Sequence, residues 1–354
     1  MSAQEVACGR EVAVGGVQIA GVVSCVPTQE IDNAYFAERF GQGAVSDVVK
    51  MIGVEKRRWA DEDTTTRDLC RVAGKRLLDD LDWDPSSVDA LIFVSQTPDF
   101  RLPATACVLQ AELGLPTSCI AFDINLGCSG YPYALWLGMT IIQSGAAGRV
   151  LLAVGDTVTK MVDPQDRATA MLFGDAGSMT ALEASVDAKQ AHFVLGTDGS
   201  GAANLIVPEG GFHNGAAADP RLKGRKPACL FMDGGEIFNF TLRAVPPLIA
   251  RTLGFAGLPA ETYSAFLFHQ ANRFMLNHLT KKAKLPAERV PSNIAEFGNT
   301  SSASIPLLLT TSMRSKLLEQ GGRVAMFGFG VGYSWGGAVL NLAPLRVVET
   351  VNYE

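Results

Sequence analysis

Paired cysteines are missing from this sequence. Its seven cysteines are odd in number, and none of them forms a Cys-x-x-Cys pair. This pattern argues against a disulfide framework and gives no sign of a zinc site. We therefore expect no bound metal and a reducing, cytoplasmic environment.

Excess positive charge, low-complexity tracts and long apolar runs are missing as well. The net charge of −6 and the pI near 5.4 argue against a general nucleic-acid-binding protein, although a local basic patch can still dock an acidic protein. The most apolar predicted helix, residues 131–142, is too short to span a bilayer. The opening Met-Ser-Ala-Gln-Glu has neither the charged nor the apolar region of a signal peptide. We expect neither secretion nor membrane association.

Segments with the periods of strands and helices alternate along the chain. Residues 12–26 are strand-like, residues 64–81 have apolar side chains at helical spacing, and residues 90–95 form a short buried strand. The chain has 354 residues, of which 47% are hydrophobic, enough for one large core or two fused cores. The alternation predicts an α/β fold with a mainly parallel sheet covered by helices on both faces.

The second half of the chain repeats the order of segments in the first. In each half an apolar strand is followed by a corner containing glycine and then by another apolar strand. The segments are 88–94, Gly127-Cys128 and 148–155, and then 263–269, Gly298-Asn299 and 322–328. We predict two similar halves, 1–185 and 186–354, although any two βαβ units share such a pattern. Cys128, His269 and Asn299 then fall at strand-to-helix corners, where α/β proteins bind ligands.

Cys128 is the candidate nucleophile of the first half. It follows an apolar strand and precedes an apolar helix that Gly145 closes. A thiol in the first turn of a helix meets unpaired N–H groups, and the helix dipole favours its thiolate. The alternative is a small buried hydrophobic residue, which is the commoner use of a single cysteine.

His269 and Asn299 are the candidate partners. His269 ends an apolar strand, where an imidazole can present an N–H to a pocket, but a structural histidine is the alternative. Asn299 stands in a Gly-Asn-Thr-Ser-Ser corner, and its alternative role is a helix N-cap. Residues 328–332 also have the glycines of a dinucleotide-binding loop. That loop needs a following helix, whereas residues 333–342 have the pattern of a strand.

Three motifs together resemble one known family. Asp-Ile-Asn-Leu-Gly-Cys128-Ser-Gly, His269-Gln-Ala-Asn and Gly-Asn299-Thr-Ser-Ser-Ala-Ser, in this order, resemble the Cys-His-Asn triad of β-ketoacyl-ACP synthase III, within the thiolase superfamily. The resemblance covers three further segments, 163–177, 232–238 and 327–336. It implies a thiolase-like α/β fold, with two duplicated βαβ halves in a five-layered α-β-α-β-α arrangement, and a homodimer.

The resemblance also implies a reaction, the decarboxylative Claisen condensation of an acyl group with malonyl-ACP. Cys128 would accept the acyl group from acyl-CoA or acyl-ACP. The backbone N–H groups of Cys128 and of Gly330, or of Gly328 and neighbouring residues, would hold the oxyanion. Neutral His269 and Asn299 would donate hydrogen bonds to the malonyl thioester carbonyl. No metal or other cofactor is required.

Further residues match the surfaces that bind substrate and the acyl carrier protein. Those assigned to CoA or substrate are Arg167, Phe238 and Asn272. Those assigned to carrier-protein docking are Arg273, Lys281 and Lys282, for which a solvated helix face is the alternative. The tryptophan and arginine that usually hold the CoA adenine are missing from residues 46–54, with only Lys50 nearby. We therefore expect that the primer arrives on acyl-ACP, or that CoA binds more loosely.

Two other activities use related scaffolds. A thiolase needs a second catalytic cysteine in the C-terminal half, and no cysteine follows Cys229. A specialised acyltransferase or a non-decarboxylating condensing enzyme, in a secondary-metabolite or polysaccharide pathway, stays open because the same triad can pass an acyl group to another nucleophile.

Overall fold

The structure is a computed structural model that describes residues 9–213 and 219–354. Its strands are β1 (Arg10–Val14), β2 (Val17–Pro27), β3 (Glu30–Asp32), β4 (Lys56–Arg58), β5 (Ala90–Val94), β6 (Ile120–Ile124), β7 (Arg149–Asp156), β8 (Ala176–Ala184), β9 (Ala191–Thr197), β10 (Leu205–Ile206), β11 (Phe231–Met232), β12 (Ala265–Phe268), β13 (Gly322–Gly330), β14 (Ser334–Leu342) and β15 (Val347–Tyr353). Its α-helices are α1 (Asn33–Phe40), α2 (Gln42–Ile52), α3 (Thr66–Leu81), α4 (Thr105–Glu112), α5 (Gly130–Gln143), α6 (Arg167–Ala170), α7 (Gly234–Ala256), α8 (Arg273–Lys282), α9 (Ile294–Phe297), α10 (Ser304–Thr310) and α11 (Arg314–Glu319).

Two large sheets enclose a central layer of helices. One sheet has the order β15-β2-β8-β7-β5-β6 and the other the order β1-β9-β14-β13-β12. Helices α5 and α10 lie between them, and their apolar side chains pack in one core with residues from both sheets. Helices α3 and α4 cover the outer face of the first sheet, and α7 and α8 cover that of the second. The five-layered α-β-α-β-α prediction is confirmed.

The direction of the strands differs from the prediction. Among the described strands of the two large sheets, five of the nine pairings are antiparallel and four are parallel. The mainly parallel sheet predicted from the alternation is therefore wrong, and both sheets are mixed. β13 and β14 are joined by only residues 331–333 and pair as a hairpin, whereas the antiparallel neighbours β7 and β8 are joined by residues 157–175, which include α6.

The two ends of the chain cross between the sheets. β1 pairs with β9 at the edge of the second sheet, while β15 pairs with β2 in the first. The boundary between residues 185 and 186 stays a prediction. β1, from the N-terminal half, lies in the sheet that the C-terminal half otherwise forms, and β15, from the C-terminal half, lies in the sheet of the N-terminal half. This exchange ties the two halves together at their edges.

Several local predictions match the helices and strands. The helix expected over residues 64–81 begins after Thr65, whose hydroxyl accepts from the N–H of Asp68 while the Asp68 carboxylate accepts from the N–H of Thr65. Within the described ranges, no helix combines the length and the apolarity that a membrane crossing needs. The first eight residues, on which the signal-peptide expectation rests, lie outside the described residues.

Candidate active site

Cys128 lies in the tight connection between β6 and α5. The sequence placed it in the first turn of the helix, but α5 begins two residues later, at Gly130. The turn is closed by a hydrogen bond from the Gly130 N–H to the Gly127 carbonyl, 2.6 Å long. A Cβ on Gly127 would meet the end of the Gln96 side chain and lie 3.0 Å from Val331 Cγ1, so a larger residue directly before the cysteine would have to displace Gln96.

The β13–β14 hairpin packs against Cys128 from the other half. A Cβ on Gly330 would lie 2.7 Å from Cys128 Cβ and 2.8 Å from its Sγ. Because β14 continues as an antiparallel strand and not as a helix, the alternative of a dinucleotide-binding loop is excluded. The glycines of the hairpin let its backbone approach the thiol.

Burial governs the ionisation of this thiol. It raises the pKa of Cys128 to about 11, against hydrogen bonds from the backbone N–H groups of Val331 and of Cys128 itself and from the Ser301 side chain, which act to lower the pKa. Burial therefore opposes the stabilisation of the thiolate that the sequence predicts from the position of Cys128 near a helix start. The Val331 N–H, next to Gly330, also faces the sulfur, and the assignment of the second oxyanion donor to Gly330 stays a prediction.

His269 follows β12 directly and is buried. Its backbone N–H donates to the Phe327 carbonyl at 2.8 Å, and its Nδ1 lies 2.8 Å from the Ser304 hydroxyl. The edge of the imidazole meets the Phe329 ring, with the centroids 5.8 Å apart. Burial lowers the pKa of His269 to about 4, against a backbone hydrogen bond at Ser301 that acts to raise it. The imidazole is therefore neutral at physiological pH.

Asn299 is fixed in a strand-like bridge with Phe173. Its backbone N–H donates to the Leu172 carbonyl at 2.9 Å. Its Oδ1 accepts from the Ser301 N–H at 2.9 Å, and its Nδ2 lies 3.5 Å from the Ala271 carbonyl. Because α10 begins only at Ser304, Asn299 is not its N-cap. The hydrogen bond at Oδ1 fixes the orientation of the amide, and its NH₂ group is the part that can donate to a ligand.

One cavity, with a volume of about 120 Å³, is lined by Cys128, His269 and Asn299 together. It is walled mainly by apolar side chains, among them Met161, Leu172, Leu230, Met232 and Ile237. Asp156 and Ser301 also line it, and sequence reasoning missed both. The available signal for Asp156 was its place at the end of a buried strand, the edge at which α/β folds bind ligands.

The other predicted residues lie at varying distances from this cavity. Asn272 lines it, and its side chain accepts from the Met275 N–H as the N-cap of α8. Phe238 is not among the lining residues and packs against Phe274, with ring centroids 5.8 Å apart. Arg167 is the exposed first residue of α6.

The predicted docking residues share one helix. Arg273, Lys281 and Lys282 are exposed on α8, and the Arg273 guanidinium lies 3.4 Å from the Val49 carbonyl of α2. The apolar side chains of Phe274 and Met51 are also exposed, to 53% and 56%. Because α2 contacts α8, these cations and apolar groups lie on neighbouring helices.

Comparison with known proteins identifies relatives over most of the chain. Residues 122–199 match the family described as 3-oxoacyl-[acyl-carrier-protein (ACP)] synthase III, and residues 253–342 match the C-terminal part of the same family. A 3-oxoacyl-[acyl-carrier-protein] synthase 3 of Campylobacter jejuni is 36% identical over 312 residues, which cover 86% of this chain and 87% of that protein.

Solved structures agree with this relationship. The 3-oxoacyl-(acyl-carrier protein) synthase of Burkholderia xenovorans LB400 has a TM-score of 0.97 at 65% identity, covering 98% of this chain and 99% of that one. The 3-oxoacyl-(acyl carrier protein) synthase III of Pseudomonas aeruginosa PAO1 has a TM-score of 0.83 at 31% identity, covering 94% and 99%. These relatives do not favour the alternative of a specialised acyltransferase. The chain therefore belongs to the 3-oxoacyl-ACP synthase III family, and it is an acyl-transferring condensing enzyme of the thiolase superfamily.

Proposed function

We propose that this enzyme loads an acyl group onto Cys128 and condenses it with malonyl-ACP, with loss of carbon dioxide, to give β-ketoacyl-ACP. The observation that carries the proposal is the shared cavity, in which one thiol meets a neutral imidazole and a side-chain amide. A nucleophile and two donors are the groups that acyl transfer and decarboxylation require.

In the first step, Cys128 Sγ attacks the thioester carbonyl of the primer. The thiol loses its proton as the new C–S bond forms, and the leaving CoA or carrier thiolate takes up a proton. The N–H groups of Cys128 and Val331, which face the sulfur, are placed to stabilise the oxyanion. Because burial disfavours the free thiolate, we propose that deprotonation accompanies attack and does not precede it.

In the second step, malonyl-ACP loses carbon dioxide while its thioester carbonyl accepts hydrogen bonds from His269 and Asn299. We propose the tautomer in which the Ser304 hydroxyl donates to His269 Nδ1, 2.8 Å away, so that Nε2 has the proton and is the donor. The enolate carbon then attacks the acyl carbonyl, and Cys128 leaves as thiolate. Two neutral donors suffice to stabilise the enolate, so we propose that no metal or further cofactor takes part.

We propose that the acyl carrier protein docks on α8. Exposed Arg273, Lys281 and Lys282 can attract an acidic partner, and the exposed Phe274 ring adds an apolar contact. On α2, by contrast, Lys50 is paired with Asp47 at 3.4 Å and no aromatic side chain is present. These features support acyl-ACP over acyl-CoA as primer donor, and a clear preference for acyl-CoA in competition would refute this part of the proposal.

We also propose a homodimer, formed along the edge of the six-stranded sheet. β6 is the edge strand, and within the described chain it pairs only with β5. Ile120 on this strand is 49% exposed, and Leu102 is 81% exposed. An uncovered apolar edge strand favours pairing with a second copy. Light scattering should show a dimer that Ile120→Lys weakens, and a monomeric native protein would refute it.

Mass spectrometry tests the function as a whole. The protein is incubated with a panel of acyl-CoA and acyl-ACP donors and then with malonyl-ACP. We expect one acyl mass on the peptide containing Cys128, followed by release of carbon dioxide and formation of β-ketoacyl-ACP. Acylation of another cysteine would overturn the assignment of the nucleophile. Transfer of the acyl group without release of carbon dioxide would overturn the condensation.

A further inference from the structure

Asp156 is a buried carboxylate in the wall of the catalytic cavity to which neither step above gives a part. It is the last residue of β7, and its side chain has no exposed surface. Within the described chain, no lysine or arginine forms an ion pair with it. A buried carboxylate is costly unless donors satisfy it, so the positions of its donors are informative.

These donors come from both halves of the chain. Oδ1 accepts from the Gln96 N–H at 2.7 Å and from the Ser95 hydroxyl at 3.1 Å. Oδ2 accepts from the Ser302 hydroxyl at 2.7 Å and from the Ser302 N–H at 3.2 Å. Asp156 therefore links the end of β5 to the turn that follows Asn299. A backbone N–H bound to each oxygen requires that both oxygens act as acceptors.

The turn held in this way controls the Asn299 amide. Ser301 has a left-handed backbone conformation, with φ at 50°, which is unusual for a residue with a side chain. Its N–H donates to Asn299 Oδ1, the contact that leaves the NH₂ group as the donor. Such a conformation persists only where surrounding contacts hold it, and the bonds from Ser302 to Asp156 act on the adjacent residue.

We propose that Asp156 is a positioning residue, which holds the 301–302 turn and thereby aims the Asn299 amide at the malonyl thioester. The inference rests on the proposed condensation and adds a residue to it. Asp156 does not touch the reacting atoms in this scheme. Its effect should therefore fall on decarboxylation, which uses Asn299, and not on acyl loading, which uses Cys128.

The test is Asp156→Asn in the full-length enzyme. An amide of the same shape has one acceptor oxygen, so either the Gln96 N–H or the Ser302 N–H loses its partner. A displacement of about 1 Å at a reacting group can cost about 10²-fold in rate, and we expect a loss of this order in decarboxylation of malonyl-ACP. Acyl loading of Cys128 should stay close to the native rate.

A second readout separates positioning from general damage. The titratable groups that line the same cavity are Cys128 and His269, and the negative charge of Asp156 acts to raise the pKa of the Cys128 thiol. Removing that charge should therefore increase the rate of alkylation of Cys128 by iodoacetamide at pH 8, followed on its own peptide. Because a loosened structure would also expose the thiol, Asp175→Asn is alkylated in parallel and should keep the native rate.

Asp175→Asn is the matched control. Asp175 is also a fully buried carboxylate that accepts from two backbone N–H groups, those of Ala60 and Thr159, but it is not among the residues that line the cavity. The Asp175→Asn variant should lose thermal stability without changing the ratio of the decarboxylation rate to the loading rate. Ser302→Ala removes only the hydroxyl donor and should lower the rate of decarboxylation by a smaller factor. It tests the same contact if Asp156→Asn does not fold.

The outcomes are distinct. If the native enzyme neither loads Cys128 nor decarboxylates malonyl-ACP, the proposed function fails, and with it this inference. If the native enzyme does both, the positioning role is overturned by native decarboxylation in both Asp156→Asn and Ser302→Ala. Equal losses in loading and decarboxylation would overturn it as well, as would the same change of ratio in Asp175→Asn.

Discussion

Replacing Asn299 by aspartate probes the division of labour in the site most directly. The new side chain has the same shape, and its Oδ1 can still accept from the Ser301 N–H at 2.9 Å, so the turn should keep its conformation. The other end of the group changes from an NH₂ donor into a carboxylate oxygen. That oxygen would face the negative charge that develops on the malonyl thioester carbonyl.

The expected magnitude follows from the loss of one donor. Removing a single oxyanion donor in an enzyme costs about 10²–10³ in rate, or about 2.7–4 kcal/mol, and like-charge repulsion adds to this loss. Decarboxylation of malonyl-ACP by Asn299→Asp should therefore fall by at least about 10²-fold. Acyl loading should persist, because the N–H groups near Cys128 belong to Cys128 and Val331 and not to Asn299.

The assay compares two initial rates, release of carbon dioxide from malonyl-ACP and gain of acyl mass on the intact protein. Asn293→Asp is the control, since Asn293 is another buried asparagine, whose Nδ2 donates to the Thr311 hydroxyl at 3.0 Å, and it is not among the residues that line the cavity. The control should keep both rates. An equal loss of loading and decarboxylation in Asn299→Asp, or no loss of decarboxylation, would refute the reasoning.

Three further predictions concern the same site. The folded-state pKa of His269, about 4, lies below its ordinary value of 6.5. The neutral, buried imidazole therefore contributes its full share of folding stability above pH 6.5, and this share is lost as the pH falls toward 4, because the unfolded state binds the proton more readily. The rate of malonyl decarboxylation should accordingly stay level from pH 8 to about 5.5, and a midpoint near 6.5 would contradict a neutral imidazole. Because the pKa of Cys128 is about 11, its alkylation rate should rise about tenfold per pH unit between about pH 7 and 9. A plateau below about pH 8 would mean that the nearby N–H groups lower the pKa of the thiol by more than burial raises it. Gly330→Ala should abolish acyl loading, because its Cβ would lie 2.8 Å from the Cys128 sulfur. Gly254→Ala is the control, because a Cβ at this position of α7 would meet open space. It should leave loading intact and raise the melting temperature. Loss of loading in both variants would show that a clash with the Cys128 sulfur is not the cause.

The sequence by itself determined the fold class and the members of the site. Apolar periodicity and glycine corners are local properties, so they located β5, α3 and α5 and indicated that Cys128, His269 and Asn299 end or follow strands. The order of the motifs around these residues indicated the family that the comparisons then showed. Their roles in catalysis stay a prediction, for which the shared cavity supplies the geometry.

The tertiary structure alone decided the direction of the strands, the ionisation of the thiol and the part of Asp156. Strand pairing depends on which segments meet in space, so the alternation of helices and strands did not reveal that both sheets are mixed. The pKa of Cys128 depends on how completely neighbouring groups exclude water, and packing between the two halves sets this. Asp156 and Ser302 are separated by 146 positions in the chain, and only folding places a donor against that carboxylate.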